Sequence, residues 1–240
     1  VSAGTQGWLA PVLVVFLLVM VNLLNNRWAP WLYVPTGIVG SAALLGIAWW
    51  DGASWDDLGL DPSTWASGLL WGAVTLAAVV LVYAVGLSIP VTRRGFDDAR
   101  AAAGGAGRLA YRTLVHIPVG TVLLEEVAFR AVLLATLTPH IGLWWAIVAS
   151  SVLFGLWHVL PALGMLESNA GAAAALGSGR RAQIRAVALT VVGTGLAGVG
   201  LCVLLVVSGS LLAPMWLHWS LNSLGTIVAW VRGRVLRIGP

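Results

Sequence analysis

Apolar residues run along this chain in blocks far longer than the stripe of a soluble helix. Nearly uninterrupted runs cover about Trp8 to Asn25, Pro30 to Trp50, Ser67 to Ile89, Leu109 to Leu137, Ile141 to Leu160, Ala186 to Val207 and Leu211 to Val231. Each is close to the roughly 20 residues that a helix needs to cross about 30 Å of hydrocarbon. Helix is the form such runs must take, because a backbone in lipid has to satisfy its own N–H and C=O groups. The pattern predicts an all-α, polytopic membrane helical bundle of about seven transmembrane helices. Residues 1–240 read as a single integral membrane domain with no separate soluble part.

The polar segments between the runs set the topology. Asn25, Asn26 and Arg27 form the first turn, and DGASWDDLGLDPSTW, with its four aspartates, cannot lie in lipid. The connector with Arg93, Arg94, Asp97, Asp98, Arg100 and Arg108 separates the third and fourth runs, and a Gly- and Ala-rich connector from Pro161 to Arg185 separates the fifth and sixth. With seven spans, Arg27, the cluster from Arg93 to Arg112, the trio Arg180, Arg181 and Arg185, and the tail Arg232, Arg234 and Arg237 fall on one side. The aspartate loop falls on the other. The positive-inside tendency then puts the N-terminus outside and the C-terminus in the cytoplasm.

Composition agrees, at 59% hydrophobic and 9% charged, far more apolar than a soluble domain. The formal net charge of +4 comes from arginine alone, with no lysine, and these arginines sit in connectors rather than on a basic stripe. They act as topology signals, which argues against nucleic-acid binding. The lysine-free, Arg- and Ala-rich usage points to a GC-rich bacterial genome and the cell membrane. Cys202, the one cysteine, lies in an apolar run and reads as packing, and the first run lacks a basic leader and reads as a retained helix. Trp8, Trp28, Trp31, Trp49, Trp50, Trp144, Trp145 and Trp230 fall near span ends, where amphipathic rings meet headgroups. Gly193, Gly195, Gly198 and Gly200 suggest close packing of the sixth helix.

Three ionisable groups in LLEEVAFRAVLL need a reason, since each costs about 2.5 to 3.5 kcal/mol at the bilayer centre even on a lenient scale. Glu126 and Arg130 are four apart and stack on one face as an ion pair. Glu125 is turned about 100° away and points elsewhere. Phe154 and His158 share a face of the fifth span, with Gly155 allowing close approach, and His218 and Asn222 share a face of the seventh. At 1.5 Å per residue Glu125, His158, His218 and Asn222 lie roughly 15 to 25 Å below the outer surface, so they can converge. His116, nine residues before Glu125 and nearly opposite it on a regular helix, and His140, in a turn, read as structural.

At these residues the chain resembles the CPBP family, the CAAX protease and bacteriocin-processing intramembrane peptidases. The motifs are EEVAFR, FGLWH and HWSLN, in the family's order from Leu123 to Asn222, with LGL at Leu58 to Leu60 a faint further echo. The resemblance implies a helical-bundle endopeptidase, type II CAAX prenyl endopeptidases being the eukaryotic members, with its core at about residues 109–231. It implies Glu125 and His158 as the water-activating pair and His218 and Asn222 as oxyanion donors. Glu126 and Arg130 would orient Glu125 or hold the substrate's C-terminal end. The family's bacterial members also include immunity and scaffolding proteins.

The implied partners are membrane lipids and a membrane-associated peptide or protein, lipidated or not. The residues fix neither an oligomeric state nor a metal. A zinc site of Glu125, His158 and His218 would draw ligands from three helices without HExxH spacing, while Asn222 suits an oxyanion better than a metal. Two other readings stand beside the peptidase: a transporter or proton relay, and a non-proteolytic bacteriocin-immunity or partner-binding protein. No internal repeat supports the transporter.

Overall fold

The computed structural model describes residue 4, residues 6–98 and residues 104–238. Val1 and Arg100 lie outside the described residues. The long helices are α1 (Leu9–Trp28), α2 (Pro30–Trp50), α3 (Pro62–Ser88), α4 (residues 106–141), α5 (Leu143–Ala162), α6 (Gly179–Ser208) and α7 (Leu212–Ile238). Among the described residues five of them, α1, α2, α3, α5 and α6, are long and apolar enough to cross a membrane. The chain is thus an all-α, multi-pass membrane bundle. The other two, α4 and α7, carry the glutamates, His218 and Asn222.

Proline and glycine set the boundaries. α1 closes in a wide turn, Ala29 N–H donating to the Leu24 carbonyl at 2.7 Å, and Pro30 occupies the first turn of α2, where a missing N–H costs nothing. Gly209, at φ 68°, ends α6 in the left-handed conformation that glycine adopts without penalty.

α4 is the central helix. Every residue from Leu124 to Leu137 is buried, so its motif segment is enclosed on all sides. Its Leu124, Phe129 and Leu133 join Val14 and Leu18 of α1, Leu44 of α2, Phe154 of α5 and Leu201 of α6 in one core. α5 packs along α6 and α3 along α7, while α2 crosses the first half of α4. At that crossing Gly37 lies against the Val119 carbonyl, where any β-carbon would collide. Gly155 meets α6 at the Val191 carbonyl, and Gly195 and Gly198 of α6 approach Ser151. Gly193 and Gly200 have nothing within 4 Å, so only part of the expected small-residue stripe packs.

The connectors gather at two ends. At one, the α3–α4 and α5–α6 connectors meet through Asp98 and Asn169, and Arg232 of α7 donates to Asp97 at 2.7 Å. At the other, Asp51 is fully buried and accepts the backbone N–H groups of Gly4 at 2.8 Å and Gln6 at 3.0 Å. The aspartate loop therefore does not simply project: Leu58 is buried in the core, and the Gly59 carbonyl accepts Leu211 N–H at 2.8 Å.

The contact at Gly37 makes a direct prediction. Gly37→Val forces α2 away from α4 and lowers stability by about 2 kcal/mol or more, measured by thermal unfolding in detergent, whereas Val at Gly46, which meets nothing, leaves the midpoint near wild type.

Candidate active site

Two stretches of α4, Arg112–Leu123 and Val127–Val132, are wound more widely than an α-helix, with Glu125 and Glu126 on a short regular segment between them. Pro118 sits inside the first stretch and can donate no backbone hydrogen bond there. Wide turns of this kind re-aim side chains and recur at functional sites. At about 4.4 residues per turn, the stretch from His116 to Glu125 makes roughly two full turns, so the two come round to neighbouring faces rather than opposite ones.

α5 ends its regular part at Trp157, and His158 takes φ −84°, ψ 0°. The His158 ring is anchored to its own helix, Nδ1 lying 2.8 Å from the Phe154 carbonyl. A carbonyl can only accept, so Nδ1 carries a hydrogen and Nε2 turns outward. The His218 ring, buried on α7, is anchored on Nδ1 by Glu126 Oε1 at 2.6 Å. Its Nε2 turns outward likewise.

Both Nε2 atoms face one oxygen. Glu125 Oε2 lies 3.8 Å from His218 Nε2 and 4.0 Å from His158 Nε2, and makes no hydrogen bond among the described residues. The other oxygen, Oε1, accepts the indole N–H of Trp157 at 2.9 Å. The two glutamates thus approach His218 from two sides, and Glu125, expected to point elsewhere, shares its surroundings with Glu126.

Arg130 is fully buried, with Nε 3.3 Å from Glu126 Oε2, an ion pair without hydrogen-bond alignment, and its guanidinium 3.9 Å from the centre of the Phe154 ring. Ion pair and π-face together balance the charge. Phe154 also makes edge contacts with both site histidines.

Asn222, one turn beyond His218, lines a cavity of about 330 Å³ with Tyr33, Arg112, His116, Ile117, Thr121 and Thr226. Tyr33 stacks on His116 at 4.7 Å and lies within electrostatic range of Glu125. The sequence reading set His116 aside and missed Tyr33 and Trp157. The wide winding that turns His116 toward the cavity has no motif, and Trp157, three residues from the expected end of its span, is indistinguishable in the sequence from the tryptophans at headgroup level. A larger cavity, about 440 Å³, lies at the opposite end among Asp56, Asp57, Thr138 and Gly209 and includes none of these groups.

The three motifs have come together in space as well as in order. Residues 108–224 match the family model of the type II CAAX prenyl endopeptidase Rce1-like proteins. This part of the chain is CAAX-protease-like. It is just under half of the chain and contains all three motifs, so the resemblance seen in the motifs is shown over that part. No curated protein and no solved structure matches the chain. The CAAX-protease match and the buried Glu–His contacts support a protease-like active site.

One carboxylate and two imidazoles are donors that suit zinc. Their facing atoms, however, stand 3.8 and 4.0 Å apart, while bonds near 2.0 Å in a tetrahedral shell give edges of about 3.3 Å. Among the described residues no group of three or more His, Cys, Asp or Glu side chains is placed to hold a metal ion. The arrangement does not fit a preformed zinc centre.

The Glu126–Arg130 pair gives a stability test. Arg130→Met removes the cation facing the buried Glu126 carboxylate and costs about 3 to 5 kcal/mol of stability, and adding Glu126→Gln recovers part of that loss. Additive losses in thermal unfolding of the single and double variants would contradict the pairing.

Proposed function

We propose that the chain is an intramembrane endopeptidase hydrolysing a peptide bond in a membrane-associated peptide or protein. The observation that carries the reading is the Glu125 carboxylate, fixed on one oxygen and facing two imidazole Nε2 atoms with the other. Pairs of atoms 3.8 to 4.0 Å apart are too far for a direct hydrogen bond and are spanned by a water that enters with the substrate and lies about 2.8 Å from both.

Glu125, with His158, takes a proton from that water as its oxygen attacks the peptide carbonyl, and returns a proton to the leaving amine as the C–N bond breaks. Oxyanion stabilisation falls to His218 Nε2–H and the Asn222 carboxamide. For that role His218 is held through Nδ1 by Glu126 on the far side of the ring. Arg130, fully buried, is out of a substrate's reach. We assign Glu126 and Arg130 to holding His218 and the π-face of Phe154. The cavity lined by Tyr33, His116 and Asn222 is the approach for the peptide.

We take all seven long helices as spans, with the arginine-bearing connectors cytoplasmic. The N-terminus is then outside and the peptide arrives from the cytoplasmic half.

Proteolysis by the purified chain in lipid nanodiscs tests the function. Glu125→Ala and His158→Ala abolish cleavage while membrane insertion stays intact, and Asn222→Ala slows turnover roughly 10²- to 10³-fold. Chelators leave activity unchanged. Full activity of Glu125→Ala would remove the peptidase assignment, and stoichiometric zinc lost together with activity would replace the metal-free mechanism.

Topology is tested by labelling a cysteine at Asp57, an exposed loop position, native Cys202 being buried. Labelling occurs from outside only. Labelling from the cytoplasmic side alone would overturn the seven-span arrangement.

A further inference from the structure

We infer that Trp157 and Asn22 are positioning residues that together fix the direction in which the Glu125 carboxylate faces. The inference rests on the reading of Glu125 as the base, and it extends the site beyond the family-matched segment to α1.

In a regular helix the Trp157 carbonyl would accept the N–H of residue 161. Residue 161 is proline and has none. Asn22 of α1 fills the place, donating Nδ2–H to the Trp157 carbonyl at 2.8 Å. Asn22 is itself held by Asn26, whose Nδ2 reaches the Asn22 side-chain oxygen at 2.8 Å and its carbonyl at 2.9 Å. The break that frees His158 from the regular helix is thereby pinned to a neighbouring helix at Trp157.

From that pinned backbone the indole reaches inward. It is 7% exposed and rests edge-on against Phe129, the ring centres 5.8 Å apart. Its N–H, at 2.9 Å from Oε1, is the one hydrogen bond the Glu125 carboxylate makes among the described residues. A carboxylate has two equivalent oxygens and rotates broadly about its last torsion. A single donor on one oxygen sets the plane and leaves the other directed between the two histidines. Without it that constraint on the carboxylate plane is lost, and displacements of about 1 Å are enough to cost roughly 10²-fold in rate.

The test uses the full chain in lipid nanodiscs with two readouts. Infrared difference spectra identify the Glu125 carboxylate stretch as the band lost in Glu125→Gln. Trp157→Phe, which keeps the ring and removes the N–H, shifts that band, and Asn22→Leu shifts it less. In cleavage assays both variants lower kcat, Trp157→Phe by roughly 10- to 100-fold, with KM within about twofold of wild type. An unmoved band or an unchanged kcat in Trp157→Phe overturns the role of Trp157, and the same result in Asn22→Leu overturns that of Asn22. Shifted bands in a wild-type chain that cleaves nothing would sink the peptidase reading and leave the positioning of Glu125 standing.

Discussion

A guanidinium with no exposure, in the middle of a membrane bundle, has to be balanced on the spot, and Arg130 dictates much of what surrounds it. Glu126 supplies one oxygen at 3.3 Å, and Phe154 supplies its ring face at 3.9 Å. Those two contacts set the register of α4 against α5. The second oxygen of Glu126 then anchors His218, which sets α7. With Glu126 committed on both oxygens, Glu125 is the carboxylate with an oxygen left facing the histidines.

The winding of α4 makes this economy of contacts geometrically feasible. Adjacent glutamates on a regular helix diverge by about 100°, and only one would face a given neighbour. Here the short regular segment that holds them is flanked by wide turns, and both reach His218. The same winding carries His116 and Thr121 to the cavity beside Asn222. The enclosure of Leu124 to Leu137 on every side keeps these polar groups dry, which strengthens each of their interactions.

Much of this was legible in the chain. Long apolar runs gave the helices and nearly their ends, because lipid leaves a backbone one solution. The i, i+4 spacings of Glu126 with Arg130 and of Phe154 with His158 named side chains that do share a face, and Glu125, His158 and His218, on three helices, do approach one another. What was not legible depends on departures from regular geometry. A helix wound at 3.6 residues per turn sends His116 away from Glu125, and no pattern in the sequence announces the wider winding. Asp51 read as part of an external loop or interfacial segment, yet it is buried, with the backbone of Gly4 and Gln6 folded onto it from 47 and 45 residues away. Asn22 carries no motif and lies inside the first apolar run. Its role becomes visible only once Pro161 is seen to leave the Trp157 carbonyl without a helical donor.

The claim on which the rest turns is that both site histidines are anchored through Nδ1 and present Nε2 to Glu125. Ring ¹⁵N NMR of the histidine-labelled chain in nanodiscs reads this directly, since the chain has 4 histidines and single substitutions assign each. The structure predicts a hydrogen on Nδ1 of both His158 and His218, and loss of the Nδ1 hydrogen bond of His218 in Glu126→Ala. A neutral ring at either position with its hydrogen on Nε2 and a bare Nδ1 would contradict the account.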